Sequence, residues 1–169
     1  PARGGNFVAG VELQPYNDPG QPSFTPFALQ NVQAFGSNWV VIDPSWTYGS
    51  NNPIIFSQNV GKDAFRKDIT ESVAFARSLN MNVALFPQPR FAIDANQFWA
   101  SAPRDPAWWD NWFNHYRAFA VNFADMATSA DAQAIIIGGD WIAPALPNGT
   151  LADGTPSGVP ADAEARWQA

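Results

Sequence analysis

The chain has 169 residues, of which 46% are hydrophobic and 14% are charged, and its net charge at pH 7 is −6. This composition is typical of one globular domain with a sizeable core, and the few, scattered basic residues argue against nucleic acid as a partner. Because the chain has no cysteine and one histidine, we expect no disulfide, no metal and no cofactor. No apolar run approaches the roughly 20 residues of a membrane span.

Four short apolar runs predict the strands of the fold. They lie near residues 6–13, 39–43, 82–87 and 134–139. Continuous runs such as WVVI and AIII are typical of strands that are buried on both faces, and such strands belong to parallel sheets. The prolines that follow the second and third runs are interpreted as the ends of those strands.

Helical patterns separate the predicted strands. Thr25 with the following proline predicts the start of a first helix, and Gly36 predicts its end. Apolar residues at a period near 3.6 predict a second helix over 63–79, with Asn80 as its C-terminal cap. The longest helix is predicted over 106–127, and we interpret its stripe of Trp, Phe and Tyr as core packing against the sheet.

The order of the elements, β-α-β-α-β-α-β, predicts an α/β fold with a parallel sheet. Four such units are half of a TIM (β/α)8 barrel, which typically needs about 250 residues. We therefore expect residues 1–169 to be the N-terminal half of a barrel, shortened by truncation, with a loop over 144–160. The alternative is an open α/β sheet that binds a small metabolite. Half a barrel has two open sheet edges, so the expected partner is the remainder of the barrel or a second copy of the chain.

Polar and aromatic side chains gather where the predicted strands end. They are Glu12 after the first strand; Asp43, Trp46 and Tyr48 after the second; Arg90 after the third; and Asp140 and Trp141 after the fourth. In parallel α/β folds, chemistry collects at the carboxyl ends of the strands. Aromatic rings stack on sugar faces and charged groups bind sugar hydroxyls, so we expect this rim to bind a polysaccharide or an oligosaccharide.

Structural roles explain several of the same residues. Asp43 precedes a proline, which is typical of turn initiation. Trp46 and Tyr48 fit core packing as well as sugar stacking. Arg90 fits an ion pair with Asp43 or Asp94 as well as a contact with substrate.

Four stretches within residues 5–142 resemble the first half of clan A glycoside hydrolases, and most of all the family 113 mannanase-like barrels. The stretches are GSNWVVIDPSW, DITESVAFARSLNMNVALFPQPRF, WWDNWFNHYRAFAVNFADMA and IIIGGDW. In those barrels the acid/base glutamate stands at the end of strand four. The resemblance implies a retaining glycoside hydrolase, outside the cell or at its surface, in which Asp140 is the acid/base and the other residues of the rim bind substrate.

Two departures from the family pattern restrict that role. Asp140 stands where the family has glutamate, which shortens the reach of the carboxyl group by about 1.5 Å. The family's nucleophile lies at the end of strand seven, which these 169 residues do not include. We therefore expect the isolated chain to be inactive, and a non-catalytic carbohydrate-binding or structural surface module of the same fold is the alternative.

Overall fold

The computed structural model describes residues 7–13 and 21–169. The elements in chain order are β1 (Gly10–Leu13), α1 (Gln21–Ala34), β2 (Trp39–Ile42), β3 (Ser45–Asn51), β4 (Ile54–Ser57), α2 (Arg66–Ser78), β5 (Asn82–Leu85), β6 (Gln88–Phe91), α3 (Ala95–Ser101), α4 (Pro106–Ser129), β7 (Ala134–Ile135) and α5 (Ala163–Gln168). A 3-10 turn covers Asp140–Ala145. None of the described helices has the length and apolar character needed to cross a membrane.

The main sheet consists of four parallel strands in the order β1-β2-β5-β7. This order confirms the predicted α/β class and the parallel sheet. The observed strands are shorter than the predicted ones, and residue 6, the predicted start of the first strand, lies outside the described residues. The shortest is β7, which is followed by a turn at Gly138, where φ is 97°.

The two faces of the main sheet differ in their cover. α2 lies against β2 and β5, and α4 lies against β5 and β7. The apolar side chains buried on this helix-covered face are Val40, Ile42, Val83 and Leu85. The opposite face carries Glu12 and its register partner Val41. Because side chains alternate along a strand, Asp43 follows Val41 on that second face.

A second sheet, which the sequence did not predict, continues from the carboxyl ends of β2 and β5. We call it the upper sheet; its order is β4-β3-β6, with β3 parallel to β6 and antiparallel to β4. Partner residues are 43 positions apart in both sheets, from Trp39 and Asn82 in the main sheet to Tyr48 and Phe91 in the upper sheet. The β2–β3 and β5–β6 segments are therefore two long parallel strands with a shared bend.

Two prolines at the same level mark this bend. Pro44 lies between β2 and β3, and Pro87 lies between β5 and β6. The main-chain N–H of Phe86 donates to the carbonyl of Ile42, and that of Gln88 donates to the carbonyl of Pro44, both at 2.9 Å. Proline removes a donor from a ladder and leaves its acceptor in place. As predicted, β2 and β5 end before these prolines, but the hydrogen bonds between the two segments continue past them into the upper sheet.

The helix ends follow the sequence signals more closely than the helix starts. α1 is followed by Gly36, where φ is 85°, and α2 is followed by Asn80, where φ is 60°. Both are left-handed residues of the kind that ends helices, as predicted. The predicted start at Thr25 is wrong, because α1 begins at Gln21 and holds Pro26 in its interior.

The aromatic stripe of α4 is core, as predicted. Its most deeply buried members, at most 2% exposed, are Trp109, Trp112, Tyr116, Phe119 and Phe123. Rings from α3 and from the upper sheet pack against them at centroid distances of 5.0 to 5.9 Å. Burying one such ring contributes about 2–3 kcal/mol. The upper sheet is thereby fixed to α4 through a shared aromatic core.

Candidate functional site

The carboxyl ends of β1 and β2 bring two predicted site residues together. Glu12 of β1 is the register partner of Val41 in β2, and Asp43 lies two residues beyond Val41 on the same face. Asp43 is 2% exposed, whereas Glu12 is exposed at the rim. The Nε2 of Gln88, the first residue of β6, donates to Oδ2 of Asp43 at 2.9 Å. The upper sheet therefore supplies the group that orients the buried carboxyl of the main sheet.

The pKa of Asp43 is raised from 3.8 to about 8. Burial of the carboxyl group is the largest cause, followed by the hydrogen bond and the charge of Glu12, while the hydrogen bond from Gln88 opposes the rise. A carboxyl group in such surroundings keeps its proton at neutral pH. Asp43 is thus a buried acid, and the interpretation as a turn residue alone does not describe it.

Arg90 lies on the polar face of the upper sheet, where it is the register partner of Thr47. Its guanidinium donates to the main-chain oxygen of Lys62 at 2.6 Å. Asp94 instead caps α3, accepting from the main-chain N–H groups of Asn96 and Gln97. The pairing of Arg90 with Asp43 or Asp94 stays a prediction.

Tyr48 is a core residue, and its predicted role in stacking on sugar is corrected. It is 2% exposed, and its ring stacks on Phe56 at 3.9 Å and on Phe91 at 5.1 Å. Trp46 is half-buried, and its ring contacts Phe56 and Phe119 at 5.8 Å. Both residues alternate onto the apolar face of β3, which packs on α4, and period-two alternation was the signal for this placement.

Asp140 and Trp141 begin the 3-10 turn that follows β7. The carboxyl group of Asp140 is exposed, while Trp141 is held by two hydrogen bonds. Its carbonyl accepts from the indole Nε1 of Trp99 at 2.9 Å, and its own Nε1 donates to the hydroxyl of Tyr116 at 3.4 Å. Trp141 therefore fixes the backbone directly beside Asp140, in the turn after the fourth parallel strand.

Gly139 permits the close approach of the Trp141 ring. A Cβ atom at this position would lie 2.5 Å from Cη2 of Trp141. We expect Gly139→Ala to displace that ring from the Tyr116 hydroxyl and to lower the free energy of unfolding by about 1–3 kcal/mol. The amide spectrum of the protein, including the indole N–H of Trp141, together with urea denaturation, measures both effects.

Gly49→Ala is the matched control for this substitution. A Cβ atom at Gly49 would meet Ile55 at 3.5 Å, which is an ordinary contact. We expect its free energy of unfolding to change by less than about 1 kcal/mol. If the two alanine variants were equally stable and the Trp141 indole signal stayed in place, the proposed close approach would be wrong.

Sequence reasoning missed two residues that organise this edge. Gln88 orients Asp43, and Asp63 is a fully buried carboxylate that accepts from Ser45 and Thr47. The signal for Gln88 was the alternation of polar and apolar residues over 88–91, which indicates a strand with one polar face. No group of three or more potential ligands in the described ranges could hold a metal ion.

No family model matches the sequence, and no curated protein matches it either. Similar solved structures include a GH113 β-1,4-mannanase with a TM-score of 0.64 at 17% identity, covering 78% of this chain and 45% of that one. A complex of a GH113 β-1,4-mannanase has a TM-score of 0.62 at 14% identity, covering 80% of this chain and 46% of that one. The GH113 β-mannanase of Alicyclobacillus acidocaldarius in complex with ManMIm has a TM-score of 0.61 at 14% identity, covering 80% and 45%.

These identities show a shared fold and no more. This chain spans about half the length of the solved structures that it matches. Its four parallel strands follow one another across the main sheet in chain order, as successive strands of a barrel do. The chain therefore has the fold of about half of a GH113 TIM barrel, consistent with the N-terminal half.

Proposed function

We propose that this chain is the first half of a retaining glycoside hydrolase that acts on a polysaccharide or an oligosaccharide, outside the cell or at its surface. The observation that carries the proposal is the carboxyl group of Asp140, which is exposed after the fourth parallel strand of a sheet with the GH113 fold. The similar solved structures are described as β-mannanases. A β-1,4-linked mannan is therefore the first substrate to test.

In the proposed reaction, Asp140 protonates the glycosidic oxygen and later activates water. A retaining site needs a second carboxylate about 5–5.5 Å from the first as the nucleophile, and in this proposal the remainder of the barrel supplies it. That remainder would also cover the open edges of β1 and β7. A second copy of this chain would cover the same edges.

The proposed substrate contacts are the accessible polar groups of the same edge. Glu12 accepts hydrogen bonds from sugar hydroxyls, with Asp43 behind it, and Arg90 reaches the substrate from the upper sheet. Trp141 is half-buried, so part of its ring remains available to a sugar face; Trp46 lies on the apolar face of β3, packed on Phe56 and Phe119, and is not included. Tyr48 is not included, because its ring lies in the core.

A non-catalytic carbohydrate-binding or structural module is the second candidate. The observation that favours it is the aspartate at position 140, whose side chain is one methylene shorter than the glutamate of the family pattern. A general acid must approach to within about 2.6–3.2 Å of the atom that it protonates. A carboxyl group that falls short of this distance supports binding without hydrolysis.

Hydrolysis is tested on β-1,4-mannan and β-1,4-glucan with the longest natural protein that contains this chain. We expect turnover of mannan, and we expect Asp140→Ala to lower kcat by about 100- to 10,000-fold. Asp153→Ala is the control, because Asp153 is an exposed aspartate in the separate 151–156 turn. The 169-residue chain alone is expected to bind manno-oligosaccharides and release no product.

Each result separates the candidates. Sugar binding without turnover by the longer protein supports the binding module. Unchanged kcat in Asp140→Ala removes the catalytic role of that residue. The absence of both binding and turnover contradicts the carbohydrate proposal altogether.

A further inference from the structure

The 3-10 turn that begins at Asp140 contains a proline that removes one of its donors. In a 3-10 turn, each carbonyl group accepts from the N–H three residues later. For the carbonyl of Trp141 that residue is Pro144, which has no N–H to donate. The carbonyl group directly beside Asp140 therefore lacks its 3-10 partner, and a donor from another element can take that place.

The donor is the indole group of Trp99 in α3, whose Nε1 lies 2.9 Å from the carbonyl oxygen of Trp141. Trp99 is 3% exposed. A buried N–H that loses its acceptor is costly, because nothing else satisfies it. This hydrogen bond therefore joins α3, which follows the β5–β6 segment, to the turn that follows β7.

α3 is a firmly held support for this donor. The side chain of Asp94 caps its start, and the guanidinium of Arg104 donates to the carbonyl groups of Trp99 and Ala100 at its end. The ring of Trp99 also stacks on that of Trp109, at a centroid distance of 5.9 Å. Because both ends of α3 are held, the indole N–H of Trp99 has a defined position towards the turn.

We propose that Trp99 is a positioning residue for Asp140. This inference rests on the proposed acid/base role of Asp140. A single methylene group separates the carboxyl group of Asp140 from the main chain, so the place of the carboxyl group follows that of the turn. Trp99 holds the turn one residue away, at the carbonyl of Trp141. A misplacement of about 1 Å lowers a reaction rate by about 100-fold, so this hydrogen bond acts on proton transfer.

Trp99→Phe tests the hydrogen bond, because it keeps an aromatic ring and removes the N–H. Trp109→Phe is the matched control. Trp109 is as deeply buried and packs on the same ring, but its Nε1 has no hydrogen-bond partner among the described residues. In the 169-residue chain, we expect Trp99→Phe to shift the amide signals of residues 139–142 and Trp109→Phe to shift them much less. Equal shifts in the two variants would overturn the proposal.

Activity is measured on the longest natural protein that contains this chain, with two substrates that differ in their need for an acid. The leaving group of mannohexaose is a sugar, which must be protonated, whereas dinitrophenyl β-mannobioside releases a stable phenolate that leaves without a proton. We expect Trp99→Phe to lower kcat/KM for mannohexaose by about 10- to 100-fold. The kcat/KM for the dinitrophenyl substrate should stay unchanged. Asp140→Ala should give the same pattern with a larger loss, and Trp109→Phe should affect neither substrate.

This pair of substrates separates positioning from a general structural role. If Trp99→Phe lowered kcat/KM equally for both substrates, Trp99 would support the fold or the binding of sugar, and its positioning role would be wrong. Circular dichroism of each variant shows that a loss of activity is not caused by unfolding.

The outcomes also distinguish this inference from the proposed function. If the longer protein cleaves neither substrate while Trp99→Phe alone shifts the signals of the turn, the glycoside hydrolase function fails and the control of the turn by Trp99 stands. Hydrogen exchange in the wild-type chain gives a test that does not depend on the folding of a variant. The indole N–H of Trp99 should exchange slowly, and exchange at the rate of a free indole would overturn the proposal.

Discussion

Replacement of Asp63 with alanine is expected to lower the free energy of unfolding by about 3–5 kcal/mol. Asp63 is fully buried and accepts three hydrogen bonds of 2.7 to 2.9 Å, from Ser45 Oγ, Thr47 Oγ1 and the main-chain N–H of Asn59. Alanine leaves the buried hydroxyl groups of Ser45 and Thr47 without this acceptor. The substitution therefore releases the 59–63 segment from the polar face of β3.

Asp153→Ala is the matched control for Asp63→Ala. Asp153 accepts two hydrogen bonds from Thr155 in a similar short turn, but it is exposed, so water replaces its carboxylate at little cost. We expect a change below about 1 kcal/mol for this variant. Urea denaturation followed by circular dichroism measures both, and equal losses for Asp63→Ala and Asp153→Ala would contradict the role given to burial.

The second large effect is a dependence of stability on pH that comes from Asp43. The pKa of this group is about 8 in the folded chain, against an ordinary value of 3.8. Between these two values the folded chain holds a proton that the unfolded chain has released. The stabilising contribution is therefore complete below about pH 4, falls by up to about 1.4 kcal/mol for each pH unit, and is lost as the pH rises through 8.

Asp43→Asn isolates this contribution from that of the other acids. Asparagine has the shape of the protonated aspartate and does not titrate, so we expect the two proteins to have similar stability at pH 4.5. At pH 8.5 the variant should be more stable than the wild type by about 2–4 kcal/mol. Urea denaturation at several pH values gives the difference directly. A difference that stayed constant from pH 4.5 to pH 8.5 would show that Asp43 is ionised throughout.

The main sheet could be predicted because its strands are short apolar runs, a pattern that indicates strands of a parallel sheet. WVVI and NVAL are too short for helices, and the burial of Val40, Ile42, Val83 and Leu85 follows from their apolar composition. The upper sheet could not be predicted in this way. Its strands combine serine, threonine, glycine and proline with aromatic residues, and the ladder crosses Pro44 and Pro87, which local rules treat as strand ends.

The sequence predicted where the candidate site lies, but it did not predict the burial and the contacts of its residues. The positions of Glu12 and Asp43 at neighbouring strand ends follow from the parallel order, and that order was readable from the sequence. The burial of Asp43 and the contact with Gln88 depend on a register that joins residues 45 positions apart, and no local pattern specifies it. Tyr48 was misplaced because an aromatic residue beside glycine and asparagine resembles a loop residue until its strand partners are known.

Because partner residues are 43 positions apart in both sheets, a register shift in one sheet would also shift the other. If β5 slipped by one residue against β2, every side chain of β5 would turn to the other face. The same slip would carry β6 past β3, so Arg90 and Gln88 would be driven into the aromatic core while Phe91 turned to the solvent. A single register shift would therefore destabilise both sheets at once. The upper sheet therefore helps to enforce the correct register of the main sheet.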